Sequence, residues 1–178
     1  MYKNNCQELL LTSLNDFYNK NYKFKILFKN IITGNHKLSL RLIDWLVTHY
    51  SKNYNIIYWI YNDDIFDNLP DENLNYKKIN LYLEYRAQLK SYAKLNFDTF
   101  RRHERITFFI DDNDSIETTI GQLNFFRWIF NNNIITYAIN NYDSIYNNMI
   151  TNNNFKKNNI KISNYQEISK SKSILRFD

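Results

Sequence analysis

Arg105-Ile-Thr-Phe-Phe-Ile-Asp-Asp-Asn-Asp-Ser-Ile-Glu-Thr-Thr-Ile-Gly-Gln-Leu-Asn-Phe-Phe-Arg-Trp-Ile-Phe-Asn131 decides the fold class, because it passes from strand chemistry to helix chemistry within twenty-seven residues. The runs 105–110 and 115–118 are rich in β-branched and aromatic residues and flank Asp111-Asp-Asn-Asp114, a polar turn, which predicts an antiparallel hairpin. Thr119 followed three residues later by Gln122 matches a capping box, in which hydroxyl and amide satisfy the orphan N–H groups of a helix start. Beyond that cap the segment to Asn131 is apolar nearly all round, with polar side chains confined to Asn124, Arg127 and Asn131. This is a core helix following a hairpin, the signature of an α+β domain.

Neighbouring segments extend that reading. Leu38 to Tyr50 has helical length and leaves only a narrow polar stripe of Arg41, Asp44 and Thr48, so it belongs to the interior, with His49 on its apolar side as a hydrogen-bonded core residue. Tyr22 to Phe28 begins with strand-like alternation, Ile56 to Tyr61 reads as a buried strand, and Cys6 to Asp16 as a short helix. Residues 62–78, with Asp63-Asp64, several Asn and Pro70, read as a surface loop or insertion. Asn80 to Leu95 is the most legible helix, and Ile134 to Ile150 resumes helical periodicity after a turn at Asn131-Asn-Asn133. The expectation is one α+β domain over 1–150, a small, mostly antiparallel sheet packed with about four principal helices, followed by a basic, Asn-rich flexible tail over 151–178.

At 178 residues and 44% hydrophobic content the chain can bury a real core. Thirty Asn and twenty-three Ile against three Ala and two Gly follow the AT content of codons, so the Asn runs carry little functional weight. One cysteine, Cys6, excludes an internal disulfide and a multi-cysteine zinc site. His36, His49 and His103 lack metal-ligand spacing, so neither a metal nor a cofactor is expected. No run is apolar and long enough for a membrane span. Two glycines cannot build a phosphate-binding loop or a dinucleotide fingerprint, and no nucleophile motif is present.

The net charge of +5 is concentrated in residues 77–105, which hold eight Lys or Arg against three acids, while the remainder cancels. On the 80–95 helix, Leu81, Tyr85, Leu89, Tyr92 and Leu95 share one face, and Arg86, Lys90 and Lys94 share the opposite one. Arg101, Arg102 and Arg105 follow and extend the track, with Tyr and Phe nearby as stacking surfaces. Cations one helical turn apart, about 5.4 Å, suit phosphate contacts, which give affinity without sequence choice. The bland alternative is an ordinary solvated face. A helix-turn-helix through 134–150 is disfavoured, because residues 106–150 hold one Arg against five acids. Asp111, Asp112, Asp114 and Glu117 hint at a metal nuclease, but a hairpin turn is the ordinary home of such residues. Arg127, polar on a buried helix, is expected to pair with an acid or a carbonyl.

Three segments form an ordered series: Gly34-Asn-His-Lys-Leu-Ser-Leu-Arg-Leu-Ile-Asp-Trp-Leu-Val-Thr-His-Tyr-Ser-Lys52; Tyr85-Arg-Ala-Gln-Leu-Lys-Ser-Tyr-Ala-Lys94 with Phe97-Asp98; and Glu117-Thr-Thr-Ile-Gly-Gln-Leu-Asn-Phe-Phe-Arg-Trp128. The series resembles a protein family of nucleocytoplasmic large DNA viruses that includes giant-virus proteins and an iridovirus immediate-early protein, over about residues 32–150. After Phe97-Asp98 the relatives carry Pro, Phe, Cys and Arg, whereas here Thr99, Phe100, Arg101 and Arg102 follow, so any role of that cysteine is absent. The resemblance implies a virus-encoded protein of the infected cell, in cytoplasm, viral factory or virion, and supplies no catalytic residues. The functional expectation is a non-enzymatic accessory or regulatory protein contacting DNA or RNA through Arg86, Lys90, Lys94, Arg101, Arg102 and Arg105. The alternatives are a protein-interaction or virion-structural module with a viral or host protein partner, and, last, a metal-dependent nuclease.

Overall fold

A computed structural model describes residues 2–69, 75–100 and 104–153, and side chains from Cys6 onward. Two helices, α1 (Tyr2–Lys20) and α2 (Tyr22–Ile32), lead into α3 (Leu40–Trp45), whose N-cap Ser39 accepts from the Leu42 amide. A π-helical turn over Leu46–Tyr50 joins α3 to α4 (Ser51–Tyr54). Strands β1 (Ile57–Tyr61), β2 (Asp64–Phe66) and β3 (Lys77–Asn80) form an antiparallel sheet in the order β2-β1-β3. Helix α5 (Leu81–Tyr92) follows, then a 3-10 turn, Lys94–Asn96. A second, two-stranded sheet pairs β4 (Ile106–Asp111) with β5 (Asp114–Thr118), and α6 (Ile120–Asn131), α7 (Ile134–Asn140) and a helix over 142–153 close the domain.

The α+β class, the hairpin and the core helix are as the sequence reads. Thr119 accepts from the Gln122 amide, and eight of the twelve residues of α6 are buried. Phe126 and Phe130 of α6 meet Phe28 and Phe24 of α2, the latter pair stacked at 4.5 Å. Tyr18 on α1 is fully buried and donates from its hydroxyl to the Leu123 carbonyl, which satisfies the one polar atom of an otherwise apolar ring. Each such fully buried aromatic contributes about 1.5–3 kcal/mol.

The structure departs from the sequence reading in five places. Residues 22–28 form a helix rather than a strand: the alternation lasts only five residues, to Ile26, whereas Phe24, Phe28 and Ile31 continue at helical spacing and face the core. The 62–78 segment is not simply a loop, since it contributes β2 and the start of β3. Asn62 and Asp63 both adopt positive φ (49° and 65°), the geometry of a two-residue hairpin turn, with Tyr61 paired to Asp64. The expected single sheet is two separate ones. His49 is exposed, its ring stacked on Trp45 at 4.3 Å with Nδ1 2.7 Å from the Thr48 hydroxyl, because the π turn adds a residue and rotates everything beyond Trp45. The 134–150 helix is divided at Asn141 and runs on to 153; the rest of the expected tail lies outside the described residues.

Candidate nucleic-acid interface

Helix α5 begins where the Asn80 side chain accepts from the Leu83 amide. Leu81 is buried, and Tyr85, Leu89 and Tyr92 pack against the core. That seating turns Arg86 and Lys90 outward, and both are exposed. The helix stops earlier than its periodicity predicts. Ala93 adopts φ 55° and ψ 164°, so Lys94 belongs to the following 3-10 turn and lies beyond the helix that carries the other two, although it too is exposed. Arg105, just before β4, is exposed as well, while Arg101 and Arg102 lie outside the described residues.

Ala93 is a strained stop, because its positive φ with extended ψ is costly for an L side chain where glycine is free. Ala93→Gly is predicted to stabilise the fold by about 1 kcal/mol, raising Tm by about 2–4 °C. An unchanged or lowered Tm in a thermal melt would contradict that conformation.

The described residues contain a single ion pair, Lys29 with Asp114. Arg86, Lys90, Lys94 and Arg105 therefore form no ion pair with any described acid. The hairpin acids have ordinary partners instead: Asp114 holds Lys29, Glu117 accepts from Thr107, and Asp111 accepts from the Asn113 amide. Among the described residues no group of three His, Cys, Asp or Glu side chains could hold a metal ion. Of the aromatic residues near the basic track, Tyr85 and Tyr92 turn inward onto Phe97, leaving Phe100 and Phe109 exposed.

The segment after α5 is clamped by α6. Gln122 donates to the Thr99 carbonyl and Asn124 to the Asn96 carbonyl. A Cβ at Gly121 would lie 3.1 Å from the Asp98 carbonyl oxygen, so any larger residue would push the two backbones apart by a few tenths of an ångström. Asp44 faces the same junction. Burial raises its pKa to about 6, the Asp98 charge adds to the rise, and the Thr99 hydroxyl opposes it. The three segments of the ordered motif series thus meet in space.

A carboxyl whose pKa is higher folded than unfolded stabilises the fold below the unfolded value, and that contribution is lost as pH rises through about 6. Asp44→Asn is therefore predicted to raise Tm more at pH 7.5 than at pH 4.5, by about 2–4 °C, since solvent screening at this half-buried site limits the gain to about 1 kcal/mol. A pH-independent difference in paired melts would contradict it.

Over residues 1–176 the chain matches a family of unknown function, DUF7197. The chain belongs to this family. Another protein similar to this DUF7197 chain is an uncharacterized protein of Acanthamoeba polyphaga mimivirus, 34% identical over 127 residues. That match covers 68% of the DUF7197 chain and 45% of the mimivirus protein, so the chain spans about half the length of that relative. No solved structure matches. The likeness to giant-virus proteins carried by the three motifs agrees with this placement. Among the described residues no helix is long and apolar enough to cross a membrane.

The motifs do not predict a cleft between α1, β3, α5 and α6, which contains Arg127. Among the described residues Arg127 bonds no acid. It donates to the Ser13 hydroxyl (3.0 Å), the Tyr92 hydroxyl (3.3 Å) and the side-chain carbonyl of Asn124 (2.7 Å). Of the expected partners, an acid or a carbonyl, the described residues supply the second.

Proposed function

We propose that this protein is a non-enzymatic viral accessory or regulatory protein that binds DNA or RNA backbones in the infected cell through the outer face of α5 and the arginines that follow. The observation that supports this reading is the exposure of Arg86, Lys90, Lys94 and Arg105 with no described acid paired to any of them. Ordinary surface cations gain little from staying unpaired, whereas phosphates bring the counter-charge and release condensed counterions. Arg101 and Arg102 lie within the same basic stretch of sequence. Exposed Phe100 beside them offers a face on which an unstacked base can rest.

The test is fluorescence anisotropy of labelled single- and double-stranded DNA and RNA. Binding of scrambled sequences with equal affinity is expected, because phosphate contacts carry no base information. Absence of binding to every probe at low salt would overturn the reading. Co-purification of a stoichiometric protein after nuclease treatment would then favour an interaction module.

A further inference from the structure

We propose that the cleft around Arg127 binds a small phosphate ester the size of a nucleoside monophosphate. The cleft has a volume of about 500 Å³, within the range of small-molecule sites and larger than a bare phosphate needs. It collects two cations from distant parts of the chain, Arg127 of α6 and Lys77 of β3. Each donates only to neutral oxygens among the described residues: Arg127, which also lies 6.0 Å from the Tyr92 ring centre, to Ser13, Tyr92 and Asn124, and Lys77 Nζ to the Asn132 side-chain carbonyl at 2.7 Å. The one carboxylate in the lining, Glu84, forms an ion pair with neither.

A half-buried guanidinium that forms no ion pair among the described residues is costly, and three hydrogen bonds to α1, α5 and α6 fix its orientation. That combination is preorganised for an incoming anion. A guanidinium and an ammonium together suit a doubly charged phosphate better than a single carboxylate. The Tyr92 and Trp128 rings also line the space and supply flat apolar surface for the organic part. Glu84 and Gln88 sit one turn apart on α5 and offer polar contacts to it.

The proposal is independent of the outer face, since Glu84 and Gln88 lie on the side of α5 away from Arg86 and Lys90. The experiment is calorimetric titration with each of the four ribonucleoside 5′-monophosphates, their unphosphorylated nucleosides, inorganic phosphate and a 5′-phosphorylated oligonucleotide. Saturable binding of at least one monophosphate, with its nucleoside much weaker, is expected. Lys77→Met, at an exposed residue with one hydrogen bond, and Arg127→Met should each weaken it about 10–100-fold. Arg127→Lys should retain part of it, and Arg86/Lys90/Lys94→Glu all of it. In the Arg86/Lys90/Lys94→Glu protein, where the outer face is disabled, tighter binding of the 5′-phosphorylated oligonucleotide than of the same oligonucleotide without its phosphate would support the cleft and place its phosphate at a nucleic-acid end. Equal binding of nucleoside and nucleotide, undiminished binding in a folded Lys77→Met protein, or no binding at millimolar ligand would overturn the proposal.

Discussion

Replacing Phe97 with alanine is expected to destabilise the protein by about 3–5 kcal/mol, the range for emptying a buried aromatic site. Phe97 is fully buried although it sits in the irregular segment between α5 and β4. Its ring lies 5.5 Å from that of Phe125, 5.7 Å from Trp128 and 6.1 Å from both Tyr85 and Tyr92, so it joins α5 to α6. The surrounding helices cannot close the void without breaking the Gln122 and Asn124 contacts to the same segment. At about 2–4 °C per kcal/mol, Tm should fall by about 6–20 °C. Urea unfolding checks this, and a loss below about 1 kcal/mol would mean that Phe97 is not the anchor described.

Reversing Arg86, Lys90 and Lys94 to glutamate is the second large effect, and it should fall on binding rather than on folding. All three side chains are exposed and make no described ion pair, so the core of α5 is untouched. Three phosphate contacts correspond to a salt slope of about −2.7 on duplex DNA, and at about 50 mM salt their removal weakens binding about 10³-fold. Glutamate adds repulsion to that loss. Because Ala93 separates Lys94 from the helix, the double variant Arg86/Lys90→Glu should retain more binding than the triple one. Equal affinities of wild type and triple variant, with unchanged melts, would place the contact surface elsewhere.

Local chemistry made much of the fold legible. Thr119 and Gln122 marked the start of α6, the acidic run at 111–114 marked the β4–β5 turn, and the opposed faces of α5 gave both its packing and its exposed cations. Legibility failed where a short pattern competed with a longer one, as at 22–28, and where backbone geometry changed the phase of a helix, as at His49 and Lys94. The Asn62-Asp63 turn was hidden because Asp residues and Asn runs read equally well as loop. The cleft was hidden for another reason. Ser13, Lys77, Tyr92 and Arg127 lie on four elements, and only folding brings them together.

The most direct test is the salt dependence of anisotropy with a labelled duplex between about 50 and 200 mM salt, for wild type and Arg86/Lys90/Lys94→Glu side by side. Wild type should give a linear log–log plot with a slope of about −2.7 or steeper, hence a loss of about 40-fold or more across that range, and the folded variant no measurable binding. Salt-insensitive binding, or a slope shared by wild type and variant, would contradict this expectation.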